Sequence, residues 1–275
     1  MPRLKRLVLV PLVFAFCSSI AWGQQAATSK ARLKVVNEAG VSLAYSPDDF
    51  DEYSFKKEAR LTQQDVGDGV PEGIAPEHSC FYFKSKIPLP ALEQGPRYFF
   101  PADSFVCVIP LKDSSVRDFR AAYPSLSDAA RELRRILSAH PRTLTARVRG
   151  VIDQPWVEAE QSIFSRFQYL NFRSGSGVLF LTQYDQEDPP TPVNNEELTC
   201  NFQGLTRDGK YYVAARLPIS HPSLPKGIDF TDDNERNKGR LYLRRAEARL
   251  NTLPENSFYP SLASLKALLS SISVQ

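Results

Sequence analysis

The fold is decided by residues 164–184, which read Phe164-Ser-Arg-Phe-Gln-Tyr-Leu-Asn-Phe172, then Arg173-Ser-Gly-Ser-Gly177, then Val178-Leu-Phe-Leu-Thr-Gln-Tyr184. The two outer runs are apolar and aromatic, and such residues favour strands. The glycine-rich segment between them is typical of a tight turn. The stretch therefore predicts a β-hairpin with its turn at Ser174–Gly177.

A second hairpin follows directly along the chain. Residues 198–203 and 210–217 are strand-like, and Asp208-Gly209 lies between them. An Asp-Gly pair flanked by such runs is a strong short-range hairpin signal. Further strands are predicted at Val41–Tyr45, Cys80–Phe83 and Phe105–Ile109, where aromatic and β-branched residues are dense.

Helical patterns lie on both sides of these hairpins. Residues 127–140 place apolar side chains at helical spacing, with Ser127 as a cap and Pro141 as a terminator. Residues 234–253 and the segment after Pro260 show the same spacing. We therefore expect an α+β fold, with a largely antiparallel β-sheet, helices packed on it and C-terminal helices closing the core.

The N-terminal segment has the pattern of a secretory signal peptide. Basic residues within Met1–Arg6 precede an apolar run over Leu7–Phe16, and small residues precede Gly23. The apolar run is shorter than the about 20 residues that a membrane-spanning helix needs. We therefore expect a signal peptide over residues 1–23, a loose mature N-terminus over 24–39 and a single α+β domain over 40–275. The expected location is the periplasm or the cell exterior.

The charge balance bears on the class of partner. Three of the 34 Lys and Arg residues lie in the predicted leader, which leaves 31 against 31 Asp and Glu. Nucleic-acid binding favours a basic surface, so we expect no nucleic-acid partner. No second apolar run is long enough to span a bilayer, so we expect no stable membrane insertion after cleavage.

Five motifs in and around the hairpins carry a resemblance to a known family. They are Asn171-Phe-Arg-Ser-Gly-Ser-Gly-Val-Leu-Phe-Leu-Thr-Gln-Tyr184, Pro192-Val-Asn-Asn195, Phe202-Gln-Gly-Leu-Thr206, Asp208-Gly-Lys-Tyr-Tyr-Val-Ala-Ala215 and Leu217-Pro-Ile-Ser-His-Pro-Ser-Leu-Pro225. These motifs resemble a family of bacterial exported proteins that has no established activity. The resemblance implies export and brings no catalytic residues. It also implies no essential role for cysteine, because the family pattern has other residues at Cys80, Cys107 and Cys200.

A second resemblance concerns the architecture. The opening Gly40-Val-Ser-Leu-Ala-Tyr-Ser-Pro47 resembles the first strand of PsbP/Mog1-like α-β-α sandwiches. The resemblance implies helices on both faces of the predicted sheet, and it implies nothing about activity.

Three cysteines remain after the predicted cleavage, at Cys80, Cys107 and Cys200. An exported protein can keep a disulfide, and the odd count allows at most one bridge within a monomer. Cys80 and Cys107 both lie in strand-like runs, so they are the candidate pair. The alternative is three buried thiols that act as small apolar groups.

The remaining reactive side chains form no recognisable catalytic or metal motif. His78, His140 and His221 lack metal-ligand spacing, so neither a metal nor another cofactor is expected. Ser176 lies outside any nucleophile elbow of the G-x-S-x-G type. Cys80 follows His78 by two residues but has no orienting motif around it. No catalytic residue is assigned from the sequence.

Aromatic and amide side chains on the hairpins are the candidate binding residues. They are Tyr169, Asn171, Gln183, Tyr184, Gln203, Tyr211 and Tyr212. On one face of a sheet they could bind the edge of a sugar or a peptide. Alternatively, they pack in the core or pair across strands.

A set of arginines near the C-terminus is a second candidate. Its members are Arg240, Arg244, Arg245 and Arg249. They could bind phosphate or an acidic polysaccharide, or they form the solvated face of an amphipathic helix.

The sequence leaves the function unknown and favours an exported protein that is not an enzyme. Such a protein would serve as a binding or accessory module for a ligand or protein of the envelope or exterior. The alternative is an extracellular hydrolase with an unrecognised active site, which would need histidine and acidic side chains converging in one cleft.

Overall fold

Ten strands and five helices lie in the parts of the chain that the computed structural model describes. Those parts are residues 32–66, 74–86, 104–114, 116–142, 159–185, 192–225 and 239–275. They belong to one compact unit. The predicted signal peptide and residues 24–31 lie outside the described residues.

The strands and helices have the following bounds. The strands are β1 (Lys34–Glu38), β2 (Val41–Tyr45), β3 (Phe50–Glu58), β4 (His78–Ser85), β5 (Ser104–Pro110), β6 (Glu160–Phe172), β7 (Gly175–Asp185), β8 (Thr199–Thr206), β9 (Tyr211–Pro218) and β10 (Ser273–Val274). The helices are α1 (Gln63–Val66), α2 (Phe119–Ala122), α3 (Pro124–Ala139), α4 (Gly239–Thr252) and α5 (Leu262–Ser270).

Seven strands form one antiparallel sheet in the order β3-β4-β5-β9-β8-β7-β6. Three others form a small antiparallel sheet in the order β1-β2-β10. Both predicted hairpins are present as β6–β7 and β8–β9, and β7 pairs with β8 to join them. The predicted α+β class with a largely antiparallel sheet is confirmed.

The large sheet is buried on both faces. On one face, Leu133 and Ile136 of α3 belong to a core cluster with Val178 of β7 and Ala214 of β9. The other face forms a separate cluster with α4, α5 and the small sheet, through residues that include Val36, Leu43, Leu250, Leu265 and Leu269. The layers therefore follow the order α-β-α, and the C-terminal helices close the core as expected.

The turn of the first hairpin differs from the prediction. Phe172 pairs with Gly175, so the turn consists of Arg173 and Ser174, and the prediction of a turn over Ser174–Gly177 is wrong. Gly175 and Gly177 lie inside β7. Their role is therefore not to reverse the chain.

These two glycines let β7 approach β8. A Cβ atom at Gly175 would lie 2.0 Å from the carbonyl oxygen of Leu205, and one at Gly177 would lie 2.4 Å from that of Gln203. Both distances are far below a normal contact, so a side chain would force the strands apart. The central pairing of the sheet requires glycine at these positions.

Two predicted boundaries are corrected. The prediction of a loose terminus over residues 24–39 is wrong for Lys34–Glu38, which pairs with β2 across a turn at Ala39 and Gly40, both with positive φ. Val36 of this strand is buried, which explains why the segment is ordered. Helix α3 begins at Pro124 rather than at Ser127, because proline suits the first turn, where no backbone N–H is required.

Helix α4 covers the outer edge of β6. Arg166 interrupts this strand with φ of 57°. Its backbone N–H donates to Asn251 Oδ1 at 2.6 Å, and its Nε donates to the Leu250 carbonyl oxygen at 2.8 Å. The backbone N–H of Phe164 donates to Glu247 Oε1 at 2.7 Å. The bonds from Phe164 and Arg166 give hydrogen-bond acceptors to backbone N–H groups on an edge strand that could otherwise pair with another chain.

No helix among the described residues combines the length and the apolar character needed to cross a membrane.

Asp49 ties the turn between β2 and β3 to α5. Its carboxylate accepts a hydrogen bond from Ser264 Oγ, and its backbone carbonyl accepts one from the Lys86 N–H at 3.0 Å. The side chain is buried. Burial raises the pKa of Asp49 above its ordinary value, although the bond from Ser264 opposes that rise. The charged form is therefore less favourable in the folded chain than in the unfolded chain.

Replacing Asp49 should change how stability depends on pH. Because its pKa is raised on folding, its contribution to stability is most favourable below the ordinary aspartate pKa and falls as pH rises through the folded-state pKa. Asp49→Asn keeps an acceptor for Ser264 and cannot ionise. Urea unfolding from about pH 3 to about pH 7 should therefore show the variant gaining stability relative to wild type as pH rises. The control Asp48→Asn replaces the exposed neighbouring carboxylate and should give a smaller pH-dependent change in the free energy of unfolding. If the stability difference between Asp49→Asn and wild type were the same at every pH, the raised pKa of Asp49 would be contradicted.

Candidate functional site

The seven predicted binding residues do not share one exposed surface. Gln183, Tyr184, Gln203 and Tyr212 are buried, Tyr169 and Tyr211 are half-buried, and only Asn171 of the seven is exposed. Tyr212 packs in the cluster against α3, whereas Tyr211 packs against the opposite cluster. The set is therefore divided between the two faces of the sheet and mostly packed inside it.

Individual contacts show what several of these residues do. Tyr169 Oη donates to the Pro141 carbonyl oxygen at 2.7 Å, and its ring stacks on His140 with centroids 3.6 Å apart. This contact fixes the C-terminus of α3, where His140 adopts the left-handed conformation. Gln183 accepts from the Asn194 N–H at 3.1 Å and donates to the Pro192 carbonyl oxygen at 3.3 Å. Both residues therefore position structure around the sheet.

Two buried polar side chains, Arg216 and Asn201, lie in one row with Phe105 on the face covered by α3. The three residues lie directly opposite one another on β9, β8 and β5. The Arg216 guanidinium carbon lies 5.4 Å from the centre of the Phe105 ring and 5.0 Å from that of Tyr184. Asn201 Nδ2 donates to Tyr184 Oη at 2.5 Å. The cation therefore lies between two rings, an arrangement that favours burial of a guanidinium.

His221, three residues after the end of β9, lies at the centre of a hydrogen-bond network. Its backbone N–H donates to Asn195 Oδ1 at 2.8 Å. On the ring, Nδ1 accepts from the Ser223 backbone N–H at 3.1 Å and lies 2.7 Å from Ser223 Oγ. Nε2 lies 3.0 Å from Ser257 Oγ, which itself donates to the Pro254 carbonyl oxygen at 2.7 Å.

These bonds fix the tautomer of the ring. Because the Ser223 N–H donates to Nδ1, the neutral ring carries its proton on Nε2. Burial, with the nearby charge of Arg249, lowers the pKa of His221, so the ring is neutral at pH 7. Nε2 therefore donates to Ser257 Oγ and is not a base toward it. A hydrolytic serine would need the opposite arrangement, with an acceptor nitrogen facing the hydroxyl.

The cysteines fall into two environments. Cys80 and Cys107 lie directly opposite each other on β4 and β5 and are joined by a disulfide. Cys200 is a buried free thiol, and burial raises its pKa to about 12. It is therefore protonated and unreactive at neutral pH.

Helix α4 presents arginines to solvent. Arg244, Arg245 and Arg249 are exposed, and none of them forms an ion pair within the described residues. The one acidic residue of the helix, Glu247, is turned toward β6, where it accepts from Phe164. Leu241 and Ala248 of this helix are exposed as well, and the exposed charged side chains among its described residues are all cationic. We call Arg244, Arg245 and Arg249 the arginine face.

No family model, curated protein or solved structure matches this chain. The resemblance to a family of exported proteins therefore stays a prediction.

The sequence prediction missed the network around His221. The segment Ser220-His-Pro-Ser223 gave only a turn signal, because Asn195 and Ser257 are distant in sequence and reach the ring through tertiary packing. It also missed the burial of Arg216, since an arginine in a strand gives no sign of lying between two rings.

The tautomer assignment predicts an order of stability between two serine variants. Ser257→Ala should leave the buried Nε2–H without an acceptor and lower the free energy of unfolding by about 1–3 kcal/mol. Ser223→Ala should cost less, because the backbone N–H still donates to Nδ1. Urea unfolding of both variants compares the two.

The reverse order of stability would assign the proton to Nδ1 instead. Labelling of Ser257 by a serine-reactive fluorophosphonate would likewise contradict the assignment, because it would require an activating base at Nε2.

Proposed function

We propose that this chain is an exported protein that works outside the cytoplasm and binds a carboxylated polysaccharide through the arginine face of α4. The proposal has two parts, the compartment and the binding surface. The first is supported by the leader pattern together with the disulfide. The second is carried by three exposed arginines that form no ion pair among the described residues.

The disulfide supports the compartment. Protein disulfides persist in oxidising surroundings such as the periplasm and the cell exterior and are rare in the cytosol. Cys80 and Cys107 are both buried in the core cluster beneath α3, so the bond joins two neighbouring strands in the interior of the protein. An N-terminal basic, apolar and small-residue pattern independently favours export.

Thiol trapping on the native protein tests the compartment. We expect protein from the exported fraction to begin at Gln24 and to resist alkylation at Cys80 and Cys107 until a reductant is added. Mass spectrometry of alkylated samples, with and without reduction, measures both properties. Cys200 is the internal control, because it should react after denaturation alone. Protein that keeps Met1, with both strand cysteines free in the cytosolic fraction, would refute export.

The arginine face supports binding of an acidic ligand. A guanidinium stays charged at every physiological pH and matches a carboxylate with two parallel hydrogen bonds. Three of them lie exposed along one helix and form no ion pair within the part of the chain that the structure describes. Other cations behave differently, since Lys56, Lys57 and Lys84 each pair with a glutamate within 3.5 Å.

Retention on alginate tests the binding surface. Replacing Arg244, Arg245 and Arg249 together by glutamine should weaken binding by about tenfold or more at low salt, since each cation near a polyanion contributes on the order of 1 kcal/mol. Binding of wild type should also fall as salt rises. Equilibrium binding by titration calorimetry or biolayer interferometry measures the change.

A matched control removes the same charge from paired cations. Lys56, Lys57 and Lys84 are also exposed, so their joint replacement by glutamine alters the net charge equally. We expect this variant to bind like wild type. If both variants lost the same amount of affinity for alginate, the effect would come from net charge. If the wild-type protein did not bind alginate, the proposed ligand would be wrong.

The hydrolase alternative has one specific observation in its favour, the contact between His221 and two serine hydroxyls. The fixed tautomer weighs against it, because Nε2 donates where a general base must accept. The network is better explained as a partly buried polar junction that joins residues 195, 221 and 257.

A further inference from the structure

Three potential metal ligands converge on the face of the large sheet that carries α3. A ring nitrogen of His78 and the Sγ atoms of Cys80 and Cys107 all lie within 4.8 Å of one another. Both cysteines are buried and the histidine is half-buried, so the cluster has one side toward the surface.

Strand geometry explains the convergence. Side chains at positions i and i+2 of a strand project from the same face, which places His78 beside Cys80. Cys107 is the direct partner of Cys80 on β5, with Cα atoms 4.1 Å apart. Two rigid strands in the middle of a sheet therefore hold all three ligands, and no mobile segment is needed to assemble them.

The orientation of the His78 ring also suits a ligand. Its Nδ1 donates to the Pro76 carbonyl oxygen at 2.8 Å. A backbone carbonyl on one ring nitrogen is the usual support for a metal-binding histidine, because it fixes the tautomer and leaves the other nitrogen as the donor to the metal. Nε2 of His78 has no hydrogen-bond partner within the described residues.

We propose that the reduced chain binds one Zn²⁺ ion through His78 Nε2, Cys80 Sγ and Cys107 Sγ, and that the disulfide and the metal are alternative states of this site. Two thiolates and a neutral imidazole neutralise a divalent cation completely, which suits a site next to an apolar cluster. A monovalent cation would leave a net negative charge there. The fourth position of a tetrahedral zinc ion would face the half-buried side and take water.

The chemistry balances in two steps. A dithiol reductant gives two electrons and two protons to the Cys80–Cys107 bond and itself becomes a disulfide. A phosphine gives the two electrons and becomes a phosphine oxide, while water supplies the oxide oxygen and the two thiol protons. Zn²⁺ then replaces the two thiol protons, which pass to solvent. Sulfur atoms that share a zinc ion lie about 3.8 Å apart, so the two Sγ atoms must move apart by side-chain rotation once the bond between them is reduced.

Zinc binding to the full chain with and without reduction tests the site. For this experiment we replace the other two cysteines, Cys17→Ser and Cys200→Ser, so that the parent variant keeps only Cys80 and Cys107. After treatment with tris(carboxyethyl)phosphine and removal of air, we expect one Zn²⁺ per chain by equilibrium dialysis and elemental analysis, and none in the oxidised form. Co²⁺ in place of Zn²⁺ should give the intense thiolate charge-transfer absorption of a tetrahedral site.

A histidine pair supplies the matched control. His78→Ala should weaken zinc binding by about tenfold or more, because even residues that only support a ligand have effects of that size. His140→Ala, an exposed histidine elsewhere on the same face of the sheet, should bind as the parent does. Circular dichroism follows the fold of each reduced sample.

Different results of the zinc-binding experiment support or overturn the proposed site. Stoichiometric zinc in a folded, reduced chain, with loss of affinity in His78→Ala alone, supports the site. Equal zinc in oxidised protein, equal affinity in His78→Ala, or zinc bound only by an unfolded reduced chain would each overturn it. None of these results bears on the arginine face, so failure here is distinguishable from failure of the proposed function.

Discussion

The close approach of β7 to β8 is the constraint on which the large sheet depends. At Gly175 and Gly177 the backbones pass so near each other that no side chain fits between a strand and its neighbour. The rings of Phe172 and Phe202 fill the adjacent space and meet edge to face. Through this contact two local hairpins become one surface wide enough to carry a helical layer on each face. The rows of side chains that cross the sheet, including the row of Arg216, keep their alignment only while this register holds.

Much of this fold is readable from local sequence, because hairpins and amphipathic helices are encoded over short distances. The Asp208-Gly209 turn and the apolar spacing of α3 and α5 are examples. The errors arose where local signals have two meanings. Glycines after Arg173 look like a turn, yet they serve strand contact, and Ser127 looks like a cap, although a proline three residues earlier begins the helix. Strand β1 is ordered because it pairs with β2, and the residues of β1 alone do not predict that pairing.

Candidate sites were harder to predict than the fold, because they depend on which strands become neighbours. Amide and aromatic residues on the hairpins looked suited to binding, but alternation along strands sends Tyr211 and Tyr212 to opposite faces. Histidine spacing alone gave no metal motif, since the third ligand beside His78 and Cys80 comes from another strand. The arginines of α4 were visible in sequence, whereas the absence of ion pairs to the arginine face among the described residues could be seen only in the structure, where Glu247 accepts a hydrogen bond from β6.

The small sheet joins residues that are made at very different times. Val274 of β10 pairs with Val41 of β2, and Ser271 Oγ accepts from the Ala44 N–H across 227 positions of sequence. A ribosome therefore completes almost the whole polypeptide before β2 meets its second neighbour and before α5 can cover the sheet. Such a chain stays open during synthesis and acquires its final packing late. That order of events would suit the export that we propose, because an exported polypeptide passes through a narrow translocation channel before it folds.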